Sequence, residues 1–104
     1  MVCARDNACY DPAYVRAVHI DWTVRGQAAS TTTCDPAWHL TLSVTAGARS
    51  PELAWAPVVC EQGRFTIDII PRTYAAVALG DPAIGTSRAT IDPTSGDARL
   101  DLGR

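Results

Sequence analysis

The sequence predicts an all-β domain, a sandwich of about seven strands held by disulfides, and three observations carry that reading. Apolar and polar residues alternate with period two in several short segments. Those segments recur roughly every 8 to 15 residues, separated by turn-forming residues and with no amphipathic helical stretch between them. Four cysteines, an even number, stand in a chain of 104 residues, which suits a small fold stapled by bridges.

Residues 1–14 (MVCARDNACYDPAY) are polar, contain Asp11-Pro12 and show neither strand nor helix period, so they read as a disulfide-stapled N-terminal arm ahead of a sandwich domain over 15–104. From Val18 the pattern becomes strict alternation: Val18, Ile20, Trp22 and Val24 on one face, His19, Asp21, Thr23 and Arg25 on the other. This is the strongest strand signal in the chain. Residues 26–37 (GQAASTTTCDPA) have loop composition. Trp38, Leu40, Leu42 and Val44 then alternate with His39, Thr41, Ser43 and Thr45 as a second strand.

AGARSPE reads as a turn, because Gly47 and Pro51 both interrupt pairing. In LAWAPVVC, Leu53 to Cys60, Pro57 cannot donate to a ladder, which predicts an edge or bulged strand. Glu61, Gln62 and Gly63 turn the chain into Arg64–Ile70, where Phe65, Ile67 and Ile69 share one face; Pro71 ends that strand. Residues 74–79 (YAAVAL) fit strand or short helix on propensity, and the β context favours strand. Gly80 to Gly85 predicts a loop, Arg88 to Asp92 a short strand and DPTSGD a turn. Ala98, Leu100 and Leu102 form the last strand.

Cys3 and Cys9 flank the short polar stretch ARDNA, whereas Cys34 precedes one alternating segment and Cys60 closes another. Local separation favours Cys3 with Cys9 and Cys34 with Cys60 among the three connectivities. Zinc sites present closer pairs, and neither His19 nor His39 opens an HxxxH or HxxE pattern. Disulfides imply an oxidising compartment, so the chain is expected to be the mature part of a secreted, periplasmic or surface-anchored protein whose signal peptide is missing from this sequence. In one variant Cys3 carries a lipid anchor instead, which leaves Cys9 without its partner.

Composition narrows the function classes. Hydrophobic residues make up 47% and charged residues 19%, with net charge -2, as expected of one soluble globular domain. No apolar run reaches the ~18 residues of a membrane-spanning helix. The nine basic residues are all Arg, scattered and outnumbered by eleven carboxylates, which speaks against a nucleic-acid partner.

Catalytic patterns are equally thin. No Ser sits in a GxSxG elbow, and both His residues alternate with core positions and so face solvent. Glu52 and Glu61 fall in predicted turns, where solvation explains them. Asp92 to Asp97, with Asp81 and Asp101, offers oxygens but lacks the DxDxDG spacing of a calcium loop, so turn chemistry is the better account. No cofactor and no metal is expected. Trp22 and Phe65 share parity with aliphatic strand positions and read as core. Trp38 and Trp55 are the candidate binding residues: one starts a strand, the other lies on the Pro-broken segment, and exposure at a sandwich end would suit recognition, with core packing the rival role.

Trp22, Gly26, Ser30 and Cys34, followed by Val59-Cys60, Gly63, Phe65, Pro71 and Tyr74, set out a WTVxGxxxS strand leading to one cysteine and a second cysteine introducing GxFxxxxxP and a Tyr. Over residues 18–80 this resembles a group of bacterial cell-envelope lipoproteins, and the latter half resembles transthyretin-like or carboxypeptidase-regulatory-like modules. Arg72-Thr73 departs from the small residue those modules carry before Tyr. The resemblance implies an extracytoplasmic sandwich, immunoglobulin-like or transthyretin-like, with a disulfide between sheets or anchoring a loop, and it implies no catalytic residues. The expected function is non-enzymatic: binding of a protein or carbohydrate partner, adhesion, or envelope assembly, with self-association through a strand edge and membrane contact only through a lipid anchor. The alternatives are a structural accessory module of a larger envelope protein and, third, a small hydrolase using His19 or His39.

Overall fold

A computed structural model describes residues 1–46 and 52–103; the expected turn at Gly47 and Pro51 lies outside the described residues. The protein is an all-β sandwich with ten strands among those residues rather than seven. The seven expected strands are β3 (Val15–Val24), β5 (Leu40–Thr45), β6 (Leu53–Val58), β7 (Arg64–Pro71), β8 (Ala76–Asp81), β9 (Gly85–Thr90) and β10 (Asp97–Leu102). Three two-residue strands make up the difference: β1 (Val2–Cys3), β2 (Cys9–Tyr10) and β4 (Gln27–Ala28).

One layer has the order β10-β3-β7, with β4 beside the end of β3, and the other runs β6-β5-β8-β9. β3 and β10, the first and last long strands, pair in parallel, Ile20 beside Ala98 and Trp22 beside Leu100. An immunoglobulin constant domain groups its strands differently, A, B, E and D against C, F and G. The alternation places the core as predicted for β3: Val18, Ile20, Trp22 and Val24 are buried, together with Leu100 and Leu102 of the neighbouring β10, against Leu40, Leu42, Val44, Val77 and Leu79 of the facing layer.

Several local expectations are corrected. The loop after β3 begins with a hairpin, because Arg25 and Gly26 both take positive φ (50° and 78°) and pair Val24 with Gln27, the two-residue turn whose twist suits a hairpin. Trp38 precedes its strand rather than starting it, since β5 begins at Leu40. The loop expected over Gly80 to Gly85 shrinks to three residues, with Gly80 and Asp81 in β8 and Gly85 in β9. In β7 the alternation breaks: Arg16 pairs with Ile70 but Val18 with Ile67, so β7 carries one extra residue and Ile70, not Ile69, enters the core. The 1–14 arm, read as patternless, holds β1, β2 and a 3-10 turn over Pro12–Tyr14.

Each Asp-Pro pair builds the same turn. The carboxylates of Asp11, Asp35, Asp81 and Asp92 accept from the backbone N–H two residues on, at 2.7–3.0 Å, while proline presets the next φ. Asp92 therefore caps its own turn with the N–H groups of Thr94 and Ser95. Gly96 closes that turn at φ 76°, where a Cβ would lie 2.6 Å from the Ala17 carbonyl oxygen, and its own carbonyl accepts from His19 N–H at the start of the β3–β10 pairing.

Candidate functional site

The structure bonds Cys3 to Cys9 and Cys34 to Cys60, and no cysteine is free. Cys34 lies in the connection from the three-strand layer to β5, and Cys60 in the connection from β6 back to β7, so their bridge fastens two crossovers at one end of the sandwich. Both residues are buried. Closing a separation of 26 residues contributes about 3.5 kcal/mol in the chain-entropy account.

Sheet edges set where a partner can approach. β9 and β10 stand at one side of the sandwich and are stitched by Ser87 Oγ donating to the Asp101 carbonyl at 2.7 Å. β6 and β7 form the opposite side. β6 is an edge strand and is also bulged, Leu40 pairing with Val58 but Leu42 with Trp55, so both readings of Pro57 apply to it. Its neighbour in space on the other layer is reached by aromatics: the rings of Trp55 and Phe65 lie 5.7 Å apart at 52°, a tilted contact of favourable geometry.

Phe65, expected in the core, is half-buried like Trp55, because it closes the open side of the sandwich rather than its centre. The two rings line a recess of about 340 Å³ together with Arg5, Thr66, Ile67 and Asp68. Arg5 comes from the N-terminal arm. Its Nε and Nη2 each donate to Asp68 at 2.8 Å, and its backbone N–H donates to the Ile69 carbonyl at 3.0 Å, beside the extra residue of β7. The side-chain bonds from Arg5 hold the Asp68 carboxyl below its ordinary 3.8, and Asp68 in turn raises Arg5.

Trp38 stands apart from this pair. Its N–H donates to the Asp35 carbonyl and its ring is half-buried against the core. Next to it, the backbone N–H of His39 donates to Asp81 at 2.8 Å, which with the Ala83 N–H keeps the Asp81 carboxyl below its usual value. Both His residues are exposed; His19 Nδ1 lies 3.5 Å from Thr66 Oγ1. Glu52 and Glu61 are exposed as well.

A second recess, about 540 Å³, opens on the outer face of the three-strand layer and is lined by Asp21, Thr23, Arg64, Arg99 and Asp101 among others. Cross-strand register aligns Arg64, Asp21 and Arg99 in one row. The two carboxylates and two guanidinium groups balance, as on an ordinary solvated sheet face. Sequence reasoning missed Arg5, Phe65 and Asp68 as site residues. Phe65 carried an apolar parity signal only, and nothing local links Arg5 to a carboxylate 63 residues away. Compared with protein-family models, curated proteins and solved structures, the chain matches none of them.

Proposed function

We propose that this domain is a non-enzymatic, extracytoplasmic binding module of the bacterial cell envelope, and that it takes a protein or carbohydrate partner at the β6–β7 side of the sandwich. One observation carries the reading: two half-buried aromatic rings, Trp55 and Phe65, border a recess that also presents an exposed guanidinium and carboxylate, Arg5 and Asp68. Aromatic anchors beside polar groups are the usual make-up of binding hot spots. Two disulfides are compatible with an extracytoplasmic location, and the resemblance to envelope lipoproteins and transthyretin-like modules points the same way.

The test is a screen of the purified domain against glycan and extended-peptide arrays, with sedimentation to detect self-association, repeated on Trp55→Ala and Trp38→Ala. Binding or association that Trp55→Ala weakens about tenfold with the fold intact supports the reading. Unchanged affinity in both variants overturns it. A structural accessory module is the second reading, favoured by the packing of Trp38 and Trp55 against the core; it expects a monomer that binds nothing in the same screen.

A further inference from the structure

We propose that the Cys3–Cys9 loop is a reducible wall of the Trp55–Phe65 recess, so that a dithiol reductant opens the site by freeing Arg5 from Asp68. The inference rests on the recess being the binding site and adds how access to it is set.

Four features of the arm point to a detachable element. β1 and β2 pair only with each other, through Val2 with Tyr10 and Cys3 with Cys9, and so short a ladder does not hold itself in water. The bond between Cys3 and Cys9 supplies the closure. Within the loop Ala4 N–H donates to the Ala8 carbonyl, Asn7 N–H to the Ala4 carbonyl, and Asn7 sits at φ 68°, a left-handed turn conformation that asparagine tolerates better than other non-glycine residues.

The loop's hold on the recess is slight. Arg5 supplies an ion pair whose partners are 57% and 58% exposed and one backbone hydrogen bond to Ile69, and exposed pairs of this kind are weak. Ala4 is the arm's only buried side chain. The root of the arm is held elsewhere, where Arg72 Nε donates to the Ala13 carbonyl and Arg72 N–H to the Tyr14 carbonyl. Release of residues 3–9 gives up the Arg5 contacts and the approach of Asp6 to the buried Tyr74, and leaves β3 in place.

The two bridges differ in access. Cys3 and Cys9 are exposed, whereas Cys34 and Cys60 are each 6% exposed within the core, and thiol–disulfide exchange requires the attacking thiolate to reach a sulfur. One thiolate of the dithiol attacks Cys3 or Cys9 Sγ, the S–S bond breaks to a mixed disulfide, and the second thiol resolves it. Two electrons and two protons pass to the protein, leaving Cys3 and Cys9 as thiols and the reductant as its own disulfide.

The experiment titrates the native protein with a dithiol, traps free thiols by alkylation, maps them by mass spectrometry, and reads collisional quenching of tryptophan emission, with Trp55→Phe assigning the Trp55 signal. Cys3 and Cys9 are expected to be labelled at least ~10-fold faster than Cys34 and Cys60, and Trp55 quenching is expected to rise in that partly reduced species. Arg5→Ala in the oxidised protein should give a rise of the same sign, and Cys3→Ser with Cys9→Ser should give it permanently. Opening of Cys34–Cys60 first or together with the outer bridge overturns the proposal, as does unchanged Trp55 quenching once Cys3 and Cys9 are thiols. No partner enters this experiment, so loss of the binding reading and loss of the reducible wall give separate results.

Discussion

The indole N–H of Trp22 donates to the carbonyl of Cys60 at 2.9 Å, tying β3, two residues from its end, to the bridge that fastens the two crossovers. Both residues are buried, so neither partner can turn to water instead. Gly63, three residues beyond Cys60, accepts from the Trp22 backbone N–H at 2.9 Å, which fixes the start of β7 against the same residue. A single tryptophan thus positions the turn from which Phe65 enters the recess.

Replacing Trp22 by Phe removes one of the two donors to the Cys60 carbonyl, which keeps the Gly63 N–H at 3.1 Å, and opens a cavity. The expected loss is about 1–3 kcal/mol, chiefly from the cavity, with the lost hydrogen bond contributing ~1 kcal/mol. Urea unfolding of the oxidised protein checks it. A loss under ~0.5 kcal/mol would mean that the Trp22–Cys60 contact does not hold the crossover.

Much of this architecture is legible in the residues themselves, for a physical reason. Val18, Ile20, Trp22 and Val24 alternate without a break because one face of β3 meets the opposite layer along its whole length, and a period of two has no other use there. Pro57 marks β6 as an edge because the sheet has no way to accommodate its missing donor in a central strand. What fails to show is set by contacts between distant segments. Ile69 has the parity of a core residue, but the extra residue of β7 lies where Arg5 docks, and that docking has no local signature. Trp55 and Phe65 likewise meet across strands of different layers, so no spacing in the sequence encodes their contact.

Acid should destabilise the sandwich through its turns. The carboxyl of Asp92 lies below its ordinary 3.8 because Ser95 and Thr94 N–H groups donate to it, and Asp81 is lowered by the N–H groups of Ala83 and His39. A folded-state value below the unfolded one adds stability above pH ~4, where the unfolded carboxyl is also ionised, and that contribution disappears as pH falls through the folded value. Thermal midpoints measured from pH 7 to 2 should therefore fall below pH ~4. Asp81→Asn with Asp92→Asn keeps acceptors in both turns but cannot titrate, so its acid slope should be shallower. An unchanged slope would assign the acid loss to other carboxyls.

The β8–β9 turn rests on a glycine for want of space, and its neighbour only for want of strain. A Cβ on Gly80 would sit 2.3 Å from the Gly85 carbonyl oxygen and 2.7 Å from Thr86 Cα, both of them backbone atoms of the paired strand. Backbone cannot swing aside as a flexible side chain can, so Gly80→Ala must push β9 away from β8. The displacement propagates, because β9 also carries Ser87, whose hydroxyl bonds the Asp101 carbonyl across the two layers. Gly85 offers the contrast: it takes φ 78° but has nothing within 4 Å of a built Cβ. Its substitution costs only left-handed strain, about 1–2 kcal/mol. Gly80→Ala is expected to cost about 2–3 kcal/mol or more by overpacking, and at ~4–8 °C per kcal/mol for a domain of this size the two variants separate in a thermal melt. If Gly85→Ala proved the more damaging, backbone strain rather than the close approach of β8 to β9 would govern this end of the sandwich.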